Sequence, residues 1–218
     1  MEYSFRGVEG RKSDPGSVSY IAIEGVIGAG KTTLACKLAE RLKANMICEK
    51  FEENPFLGKF YGDRKRYAFQ TQLFFLVNRY KQLENLFQEN LFSEFLVSDY
   101  IFEKDRIFAL INLDGEELKL YDSMFPLLQK NLRKPDLVVY LKPSIDRLLF
   151  NIKKRGREME KDIDPEYITQ LVHAYDDYFF KYSTTPLLTV QTSDIDFVGN
   201  NDDFEELFGL VFDTYNKV

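Results

Sequence analysis

The chain is poor in the residues that cross-link a protein or anchor it in a membrane. Its 218 residues include two cysteines and one histidine. Cys36 lies in a predicted helix and Cys48 in the next predicted strand, a placement that fits neither a disulfide framework nor a metal site. No stretch approaches the roughly 18 consecutive apolar residues of a membrane span, and no signal-peptide core is visible. We therefore expect a protein of the reducing cytoplasm that has no membrane partner.

The sequence also lacks an excess of positive charge. It has 29 basic and 35 acidic residues, which gives a net charge of −6. That balance argues against a general polyanion binder such as a DNA-coating protein, so we expect no nucleic-acid partner. Any phosphate site must then be basic only locally. With 44% apolar residues, the length is sufficient for one α/β domain with a sizeable core.

One stretch, YIAIEGVIGAGKTTLA at positions 20–35, has the features of a phosphate-binding loop. Residues 25–32 fit the pattern G-x-x-x-x-G-K-[ST] at every position. The pattern lies between a predicted buried strand and a predicted amphipathic helix, which are the two elements that flank a phosphate-binding loop. Glycine backbones can turn successive N–H groups toward an anion, and the positive end of the helix adds to the attraction.

The loop predicts a role for each of its residues in binding ATP. Lys31 is expected to reach the β and γ phosphates, and the Thr32 hydroxyl to ligate Mg²⁺. The alternative is a glycine turn that only links the strand to the helix. The predicted nucleotide-binding residues here are Gly25, Val26, Ile27, Gly28, Ala29, Gly30, Lys31, Thr32 and Thr33.

Apolar patterns alternate between strands and helices along the rest of the chain. The predicted strands are Val18–Ile23, Asn45–Glu49, Phe95–Asp99, Asp136–Leu141 and Leu187–Gln191. The predicted helices include Arg64–Glu89, Tyr100–Asn112, Glu116–Leu132, Pro143–Arg155, Pro165–Tyr182 and Asp202–Tyr215. This order predicts an α/β fold in which helices flank a five-stranded parallel sheet and ligands gather at the carboxyl ends of the strands. We expect residues 1–17 to form a flexible tail and residues 18–218 to form a single domain.

Two carboxylates end predicted strands beside the phosphate loop. Glu49 follows the second strand, where it can accept a proton from an incoming hydroxyl or hold a water on Mg²⁺. Asp99 ends the third strand and is a candidate Mg²⁺ ligand together with Thr32. Only the positions of Glu49 and Asp99 in the chain support these roles. The alternative for Glu49 is an ordinary charged residue of a loop.

The long helix over residues 64–89 carries polar groups on an otherwise apolar face. Gln72 and Arg79 are two turns apart, with Phe75 and Leu76 between them. Polar groups beside an aromatic ring suit the recognition of a flat heterocycle. A solvated helix edge explains the spacing equally well.

The stretch NIKKRGREMEKD at positions 151–162 concentrates positive charge in an acidic chain. Lys153, Lys154, Arg155 and Arg157 cluster around Gly156 at a predicted helix end. A basic segment of this kind, about residues 151–163, can close over phosphates as a lid and neutralise transferred charge. The alternative is a helix end that carries cations favourable to its dipole.

These stretches together resemble the deoxynucleoside kinase family, most closely its bacterial deoxyadenosine/deoxyguanosine kinases. Besides the phosphate loop, the resemblance depends on NPFLGKFYGDRKRYAFQTQLFFLVNRYKQ, SDYIFEKDRIFA and KKRGREMEKDIDPEY, and it extends from about Tyr20 to the C-terminus. It implies a P-loop kinase fold, ATP and Mg²⁺ as cofactors and a deoxynucleoside as the acceptor, in a salvage reaction. It also implies a homodimer formed through helices that include Arg64–Glu89 and Glu116–Leu132.

The resemblance further implies roles for individual residues. Glu49 is expected to be the general base for the 5′-hydroxyl, assisted by Lys31 and by the lid arginines Arg155 and Arg157. Tyr61 and Glu160 are expected to hold the 3′-hydroxyl of the sugar. The expected base-reading residues are Gln72, Arg79 and Asp105, and those packing around the ATP adenine are Asp203 and Phe204.

The sequence departs from the family pattern at two arginines. Asp99 is followed by Tyr100 where the family usually has arginine, and Asn151 occupies the position of an upstream lid arginine. An arginine at a transferring phosphoryl group contributes about 10³–10⁵ in rate, so other cations must compensate. The candidates are Lys153, Arg155, Arg157 and Arg106.

Two other functions are compatible with the loop. One is a nucleoside monophosphate kinase of the thymidylate kinase type, although a carboxylate at Glu49 fits a neutral hydroxyl better than a phosphorylated acceptor. The other is a nucleotide-binding subunit without catalytic activity, which the two missing arginines keep open.

Overall fold

The computed structural model describes residues 1–8, 18–89 and 94–217, and within those ranges six strands form one sheet. The strands are β1 (Tyr3–Arg6), β2 (Ser19–Gly25), β3 (Asn45–Ile47), β4 (Phe95–Ser98), β5 (Leu137–Lys142) and β6 (Leu187–Gln191). The helices are α1 (Lys31–Leu42), α2 (Leu57–Gly62), α3 (Arg64–Glu89), α4 (Lys104–Asn112), α5 (Gly115–Gln129), α6 (Ile145–Arg155), α7 (Pro165–Lys181) and α8 (Asn201–Tyr215). Two 3₁₀ turns cover Phe51–Glu53 and Glu158–Glu160. The α/β class predicted from the alternation of patterns is confirmed.

The strand order β1-β6-β5-β2-β4-β3 places the phosphate loop at the centre of the sheet. β2 pairs in parallel with β4 on one side, where Ile21 is opposite Val97. On the other side it pairs in parallel with β5, where Ile23 is opposite Val139. The chain therefore leaves β2 at a point where the connections diverge to the two halves of the sheet. Ligands of open α/β sheets bind at this kind of switch point.

The core explains why β2 and β5 form the middle of the sheet. Residues 20–25 of β2 and 137–141 of β5 are buried, as expected for parallel strands covered by helices on both faces. Helix α1 packs against β2 and β4, and α3 packs against α2, α4 and α5. In the described ranges, no helix combines the length and the apolar character needed to cross a membrane.

The first strand corrects the prediction of a flexible tail over residues 1–17. Tyr3–Arg6 pairs antiparallel with β6, so the sheet is mixed and has six strands where five parallel ones were predicted. The guanidinium of Arg6 also donates to the carbonyl oxygens of Phe180 and Tyr182, both at 2.9 Å. All four residues of β1 are exposed, and the alternation of Tyr3 and Phe5 with Ser4 and Arg6 covers only these four positions, so the strand was missed in the sequence. Residues 9–17 of the predicted tail lie outside the described ranges.

The segment after β4 also differs from its prediction. A helix was predicted from Tyr100, but α4 begins at Lys104. The intervening residues are buried and held by side chains: Ser98 Oγ donates to the Tyr100 carbonyl oxygen at 2.7 Å, and Ile101 N–H donates to Glu24 Oε2 at 3.0 Å. These tertiary contacts keep the chain extended past the strand, and they direct α4 toward the end of the sheet where the phosphate loop lies.

Candidate active site

The phosphate loop between β2 and α1 has a backbone that only glycine fits at two positions. Gly28 and Gly30 have φ angles of 90° and 87°. A Cβ atom at Gly28 would lie 2.8 Å from the Leu148 carbonyl oxygen, and one at Gly30 would lie 2.8 Å from the Phe197 ring. Both the backbone angle and the space therefore require glycine. Gly30 is also the N-cap of α1, so the positive end of that helix faces the loop.

The predicted phosphate-binding and metal-binding side chains meet at the mouth of the loop. Lys31 Nζ donates to the carbonyl oxygens of Gly25 at 2.8 Å and Val26 at 3.2 Å. Thr32 Oγ1 donates to Asp99 Oδ2 at 2.5 Å. The other Asp99 oxygen accepts the backbone N–H of Glu49 at 2.8 Å. Asp99 thus connects the loop with the segment that carries the predicted general base.

A cavity of about 740 Å³, including the open space at its mouth, adjoins the loop. The predicted site residues that line it are Ile27, Lys31, Thr32, Glu49, Tyr61, Gln72, Arg79, Asp99, Arg155, Arg157 and Glu160. Six further lining residues were not singled out from the sequence, namely Phe51, Leu57, Phe60, Thr71, Lys104 and Phe108. The structure therefore brings most of the predicted residues to one place, although they come from distant parts of the chain.

Buried charges dominate the middle of the cavity. The Arg79 guanidinium forms ion pairs with both Glu49 and Asp105. Lys104 Nζ donates to Glu49 Oε2 at 2.6 Å. Asp105 does not itself line the cavity, because it is fully buried behind Arg79. Two carboxylates and two cations thus form one compact network.

The network shifts the pKa values of its two carboxylic acids in opposite directions. Burial raises the pKa of Glu49, but Arg79 and Lys104 lower it by more, so the pKa lies well below the ordinary range of a glutamate. Burial raises the pKa of Asp105 to about 6, although Arg79 works against this. Glu49 is consequently ionised at neutral pH and available as a hydrogen-bond acceptor.

The deep end of the cavity combines an aromatic ring with polar groups that have no partner. The Arg79 guanidinium lies 4.6 Å from the centroid of the Phe75 ring. Within the described part of the chain, Gln72 Oε1 and Thr71 Oγ1 are buried without a hydrogen-bond partner. Unpaired buried polar atoms are costly unless a ligand satisfies them. The alternative of a solvated helix edge for Gln72 and Arg79 is wrong, since both side chains are buried.

The basic segment after α6 forms one side of the cavity. Gly156 ends α6 in the left-handed conformation, and its N–H donates to the Ile152 carbonyl oxygen. Arg155 and Arg157 both pair with the buried Glu160, at 2.5 Å and 3.3 Å. The two predicted lid arginines therefore contact the residue predicted to hold the sugar. Tyr61 lines the same region, and burial raises its pKa above the ordinary range.

Asp203 and Phe204 lie outside the cavity, at the start of α8. The Asp203 carboxylate accepts from Asp196 N–H at 2.6 Å and from Asn200 Nδ2 at 2.9 Å. Phe204 is buried, and Lys37 of α1 places its ammonium 4.7 Å from the ring centroid. The segment borders α1, the helix that follows the phosphate loop. The contact of Asp203 and Phe204 with the adenine of ATP remains a prediction.

The structure shows what occupies the places of the two missing arginines. Tyr100 is buried and donates to Gln82 Oε1 at 2.8 Å. Asn151 Nδ2 donates to the Gly28 carbonyl oxygen at 2.9 Å and so supports the phosphate loop. Among the proposed compensating cations, Arg106 instead pairs with Asp122 on the surface at 3.2 Å. Sequence reasoning missed Lys104, since a single lysine at a predicted helix carries no spacing signal.

A polyphosphate loop that opens onto a cavity for a second small molecule is the arrangement of a phosphotransferase, and with this sheet it defines a P-loop kinase. The family model described as deoxynucleoside kinase matches residues 21–215. The chain belongs to the deoxynucleoside kinase family, which confirms the resemblance seen in its motifs.

Individual relatives agree with this assignment. The chain is 42% identical to the deoxyguanosine kinase of Bacillus subtilis, over 86% of this chain and 93% of that protein. It is 30% identical to the deoxyadenosine/deoxycytidine kinase of the same organism, over 87% of this chain and 89% of that protein. These matches favour neither the thymidylate kinase type nor a non-catalytic subunit.

Solved structures of a third relative support the fold. The deoxyadenosine kinase of M. mycoides with bound dCTP has a TM-score of 0.75 and 28% identity, and it covers 91% of this chain and 100% of its own. The same enzyme with bound dATP also has a TM-score of 0.75, at 27% identity over 88% of this chain and 98% of its own. The P-loop fold is confirmed, and the M. mycoides enzyme binds the triphosphates dCTP and dATP.

The geometry of the phosphate loop predicts a large effect of Gly28→Ala. We expect the strained backbone and the close approach to Leu148 to lower the free energy of unfolding by about 1–3 kcal/mol. We expect the displaced loop to reduce kcat/KM for the triphosphate by about 10²-fold. Gly209→Ala in α8 is the matched control, because its Cβ atom would meet nothing within 4 Å. The free energy of unfolding of Gly209→Ala should rise by up to about 1 kcal/mol. A similar change of stability in the two variants, measured by thermal unfolding, would contradict the expectation for Gly28.

Proposed function

We propose that the protein transfers the γ-phosphate of ATP to the 5′-hydroxyl of a purine deoxynucleoside, in nucleotide salvage. The observation that carries this proposal is the position of Glu49, an ionised carboxylate between the phosphate loop and an aromatic, polar pocket. A neutral hydroxyl can approach such a group, whereas an acceptor that already bears a phosphate would be repelled. The deoxyguanosine kinase and deoxyadenosine kinase relatives support the purine preference.

The residues of the chain would act mainly by position and charge, as phosphoryl transfer requires. Glu49 would orient the 5′-hydroxyl for in-line attack and accept its proton. Lys31, which now contacts the loop carbonyls of Gly25 and Val26, would turn its ammonium to the β and γ phosphates. Arg155 and Arg157 would add positive charge from the lid.

Thr32 and Asp99 fit the Mg²⁺ that this reaction uses. Their side-chain oxygens are 2.5 Å apart, and hydroxyl and carboxylate oxygens are the ligands that Mg²⁺ prefers. In the described part of the chain, no group of three or more histidine, cysteine or acidic side chains could hold a metal alone. The remaining ligands would be phosphate oxygens and water. When bound, the ion would supply charge neutralisation for the transferred phosphoryl group.

The pocket also supports the predicted substrate contacts. Gln72 Oε1 would accept a hydrogen bond from the base edge and Thr71 Oγ1 would donate or accept one, with Arg79 held in place by Asp105. Phe75 would pack on the base, and Tyr61 with Glu160 would hold the 3′-hydroxyl. Asp203 and Phe204 would pack around the adenine of ATP on the outer side of the loop.

We also propose a cytoplasmic homodimer. Three leucines of α4 and α5 are unusually exposed for their size: Leu110 at 55%, Leu120 at 50% and Leu127 at 72%. Leu120 and Leu127 are seven positions apart and so share one face of α5, and exposed apolar side chains on one helix face are typical of an interface between subunits. The two cysteines are free, as expected for a protein of the reducing cytoplasm.

Replacing Glu49 tests the proposed reaction. Glu49→Gln keeps the size of the side chain but removes the base and the negative charge, so kcat is expected to fall about 10²–10⁴-fold. The measurement is monophosphate formation from each of the four deoxynucleosides with Mg-ATP. Glu53→Gln is the control, because Glu53 pairs with Lys50 at the surface.

Each outcome of that assay has a clear meaning. Turnover of deoxyadenosine or deoxyguanosine, lost in Glu49→Gln and kept in Glu53→Gln, would support the proposal. Turnover of deoxynucleoside monophosphates alone would transfer support to the thymidylate kinase type. Binding of ATP without turnover of any acceptor would favour the non-catalytic subunit.

The affinity for ATP is expected to depend on pH through Lys31. Burial and the nearby Lys104 lower the pKa of Lys31 to about 8. Because only the protonated ammonium attracts phosphate, the association constant should fall above about pH 8, by up to tenfold per pH unit. Lys31→Arg stays charged and should bind more weakly but without this dependence. Calorimetric titration of wild type showing constant affinity to about pH 9.5 would contradict the expectation.

The proposed dimer predicts an effect of charge on α5. Leu120→Glu combined with Leu127→Glu should weaken the dimer by more than about tenfold, because the two carboxylates would be desolvated in the interface. Phe180→Glu is the control, since Phe180 is 78% exposed at the end of α7 that contacts Arg6 of β1. Sedimentation equilibrium measures the effect, and a monomeric wild-type protein would overturn the proposal.

A further inference from the structure

Lys104 is a buried cation at the reacting end of the cavity. It is the first residue of α4, and only 4% of its surface is exposed. Its Nζ atom lies 2.6 Å from Glu49 Oε2 and 5.8 Å from the centroid of the Phe108 ring. A lysine in the first turn opposes the helix dipole, and a buried ammonium is costly unless it is paired. The position therefore does not serve the stability of α4 by itself.

The hydrogen bonds of Glu49 show on which oxygen the acceptor hydroxyl can be received. A carboxylate oxygen has two lone-pair directions. Oε1 accepts from both Nε and Nη2 of Arg79, which uses both directions. Oε2 accepts from Lys104, and the described residues provide no second donor to it. A hydroxyl that donates to Glu49 would therefore take the free direction on Oε2, beside the Lys104 ammonium.

Other cations near the phosphate loop are engaged elsewhere. Arg79 divides its charge between Glu49 and Asp105. Arg155 and Arg157 pair with Glu160. Lys104 consequently pairs with Glu49 Oε2, the oxygen that keeps one lone-pair direction free for a hydroxyl.

We propose that Lys104 takes the place of the arginine that is missing at Tyr100, as a positioning residue that orients Glu49 with Oε2 toward the 5′-hydroxyl and supplies positive charge beside the reacting oxygen. The inference rests on the proposed role of Glu49 as the base. As the hydroxyl loses its proton to Oε2, the lysine charge would stabilise the developing negative charge on the attacking oxygen. In this role Lys104 would exchange no proton with the substrate.

Titratable groups from several elements face Glu49, and they enter any pH profile. They are Lys31 of α1, Tyr61 of α2, Arg79 of α3, Asp99 and Tyr100 after β4, Tyr175 of α7, and Glu160 with the lid arginines, while Glu24 of β2 interacts with Lys104. Asp105 of α4 acts through Arg79. These groups are the same in wild type and in a Lys104 variant, so a difference between the two profiles reports on Lys104.

The test compares Lys104→Met, Lys104→Arg and the surface control Lys119→Met. For Lys104→Met we expect kcat to fall about 10²-fold or more, with KM for ATP and nucleoside changed by less than about threefold. The acidic limb of the kcat profile should move to higher pH, because a cation that favours the ionised carboxylate is lost. Lys104→Arg should recover at least about a tenth of wild-type kcat and restore the limb. Lys119→Met should match wild type.

Two results would overturn the inference. One is a Lys104→Met enzyme with kcat within about threefold of wild type. The other is a lower kcat with an unmoved acidic limb and a matching loss of thermal stability, which would show a structural role only. If Lys104→Met does not fold, Lys104→Gln is used with the same criteria.

The Glu49→Gln variant distinguishes a failure of the proposed role of Glu49 from a failure of the proposed role of Lys104. If Glu49→Gln retains wild-type turnover, the proposed role of Glu49 fails and the inference fails with it. If Glu49→Gln is inactive while Lys104→Met is unaffected, only the role of Lys104 is wrong.

Discussion

The buried guanidinium of Arg79 is the interaction on which the site depends. It contacts Glu49, which follows β3, and Asp105, which belongs to α4, and so it fixes three separate segments around one cavity. Either carboxylate alone would be costly to bury, and the arginine alone more so. The network is stable only when all its members are present. This requirement holds the proposed base Glu49, a pocket wall and a helix terminus in one arrangement before any ligand binds.

At the two positions where the family usually has arginine, this chain has uncharged side chains that make other contacts. Tyr100 packs in the core and bonds Gln82, while Asn151 bonds the backbone of the phosphate loop. Neither residue brings charge to the cavity, yet the cavity contains Lys104, the first residue of α4. In the proposed role of Lys104, positive charge at the reacting end of the cavity would be supplied from a different Cα position by a long side chain.

The parallel sheet and its helices were predictable because their signals are local. A buried strand such as residues 137–141 is a continuous apolar run, and the glycine pattern at 25–32 identifies both a turn and its ligand. β1 was missed, since its alternation is only four residues long and its exposed residues are held by backbone pairing with β6 and by Arg6. The start of α4 was misplaced for a similar reason, because Glu24 restrains Ile101 across the sheet.

The sequence by itself determined the kind of chemistry, through the phosphate loop and the motifs that resemble deoxynucleoside kinases. It also indicated most of the residues that line the cavity. Only the tertiary structure decided the state of those residues: that Arg79 is shared between two acids, that Asp105 lies behind it, and that Lys104 faces Glu49. The physical reason is that burial and charge pairing join residues far apart in the chain, here 55 positions for Lys104 and Glu49. No local pattern encodes such a contact.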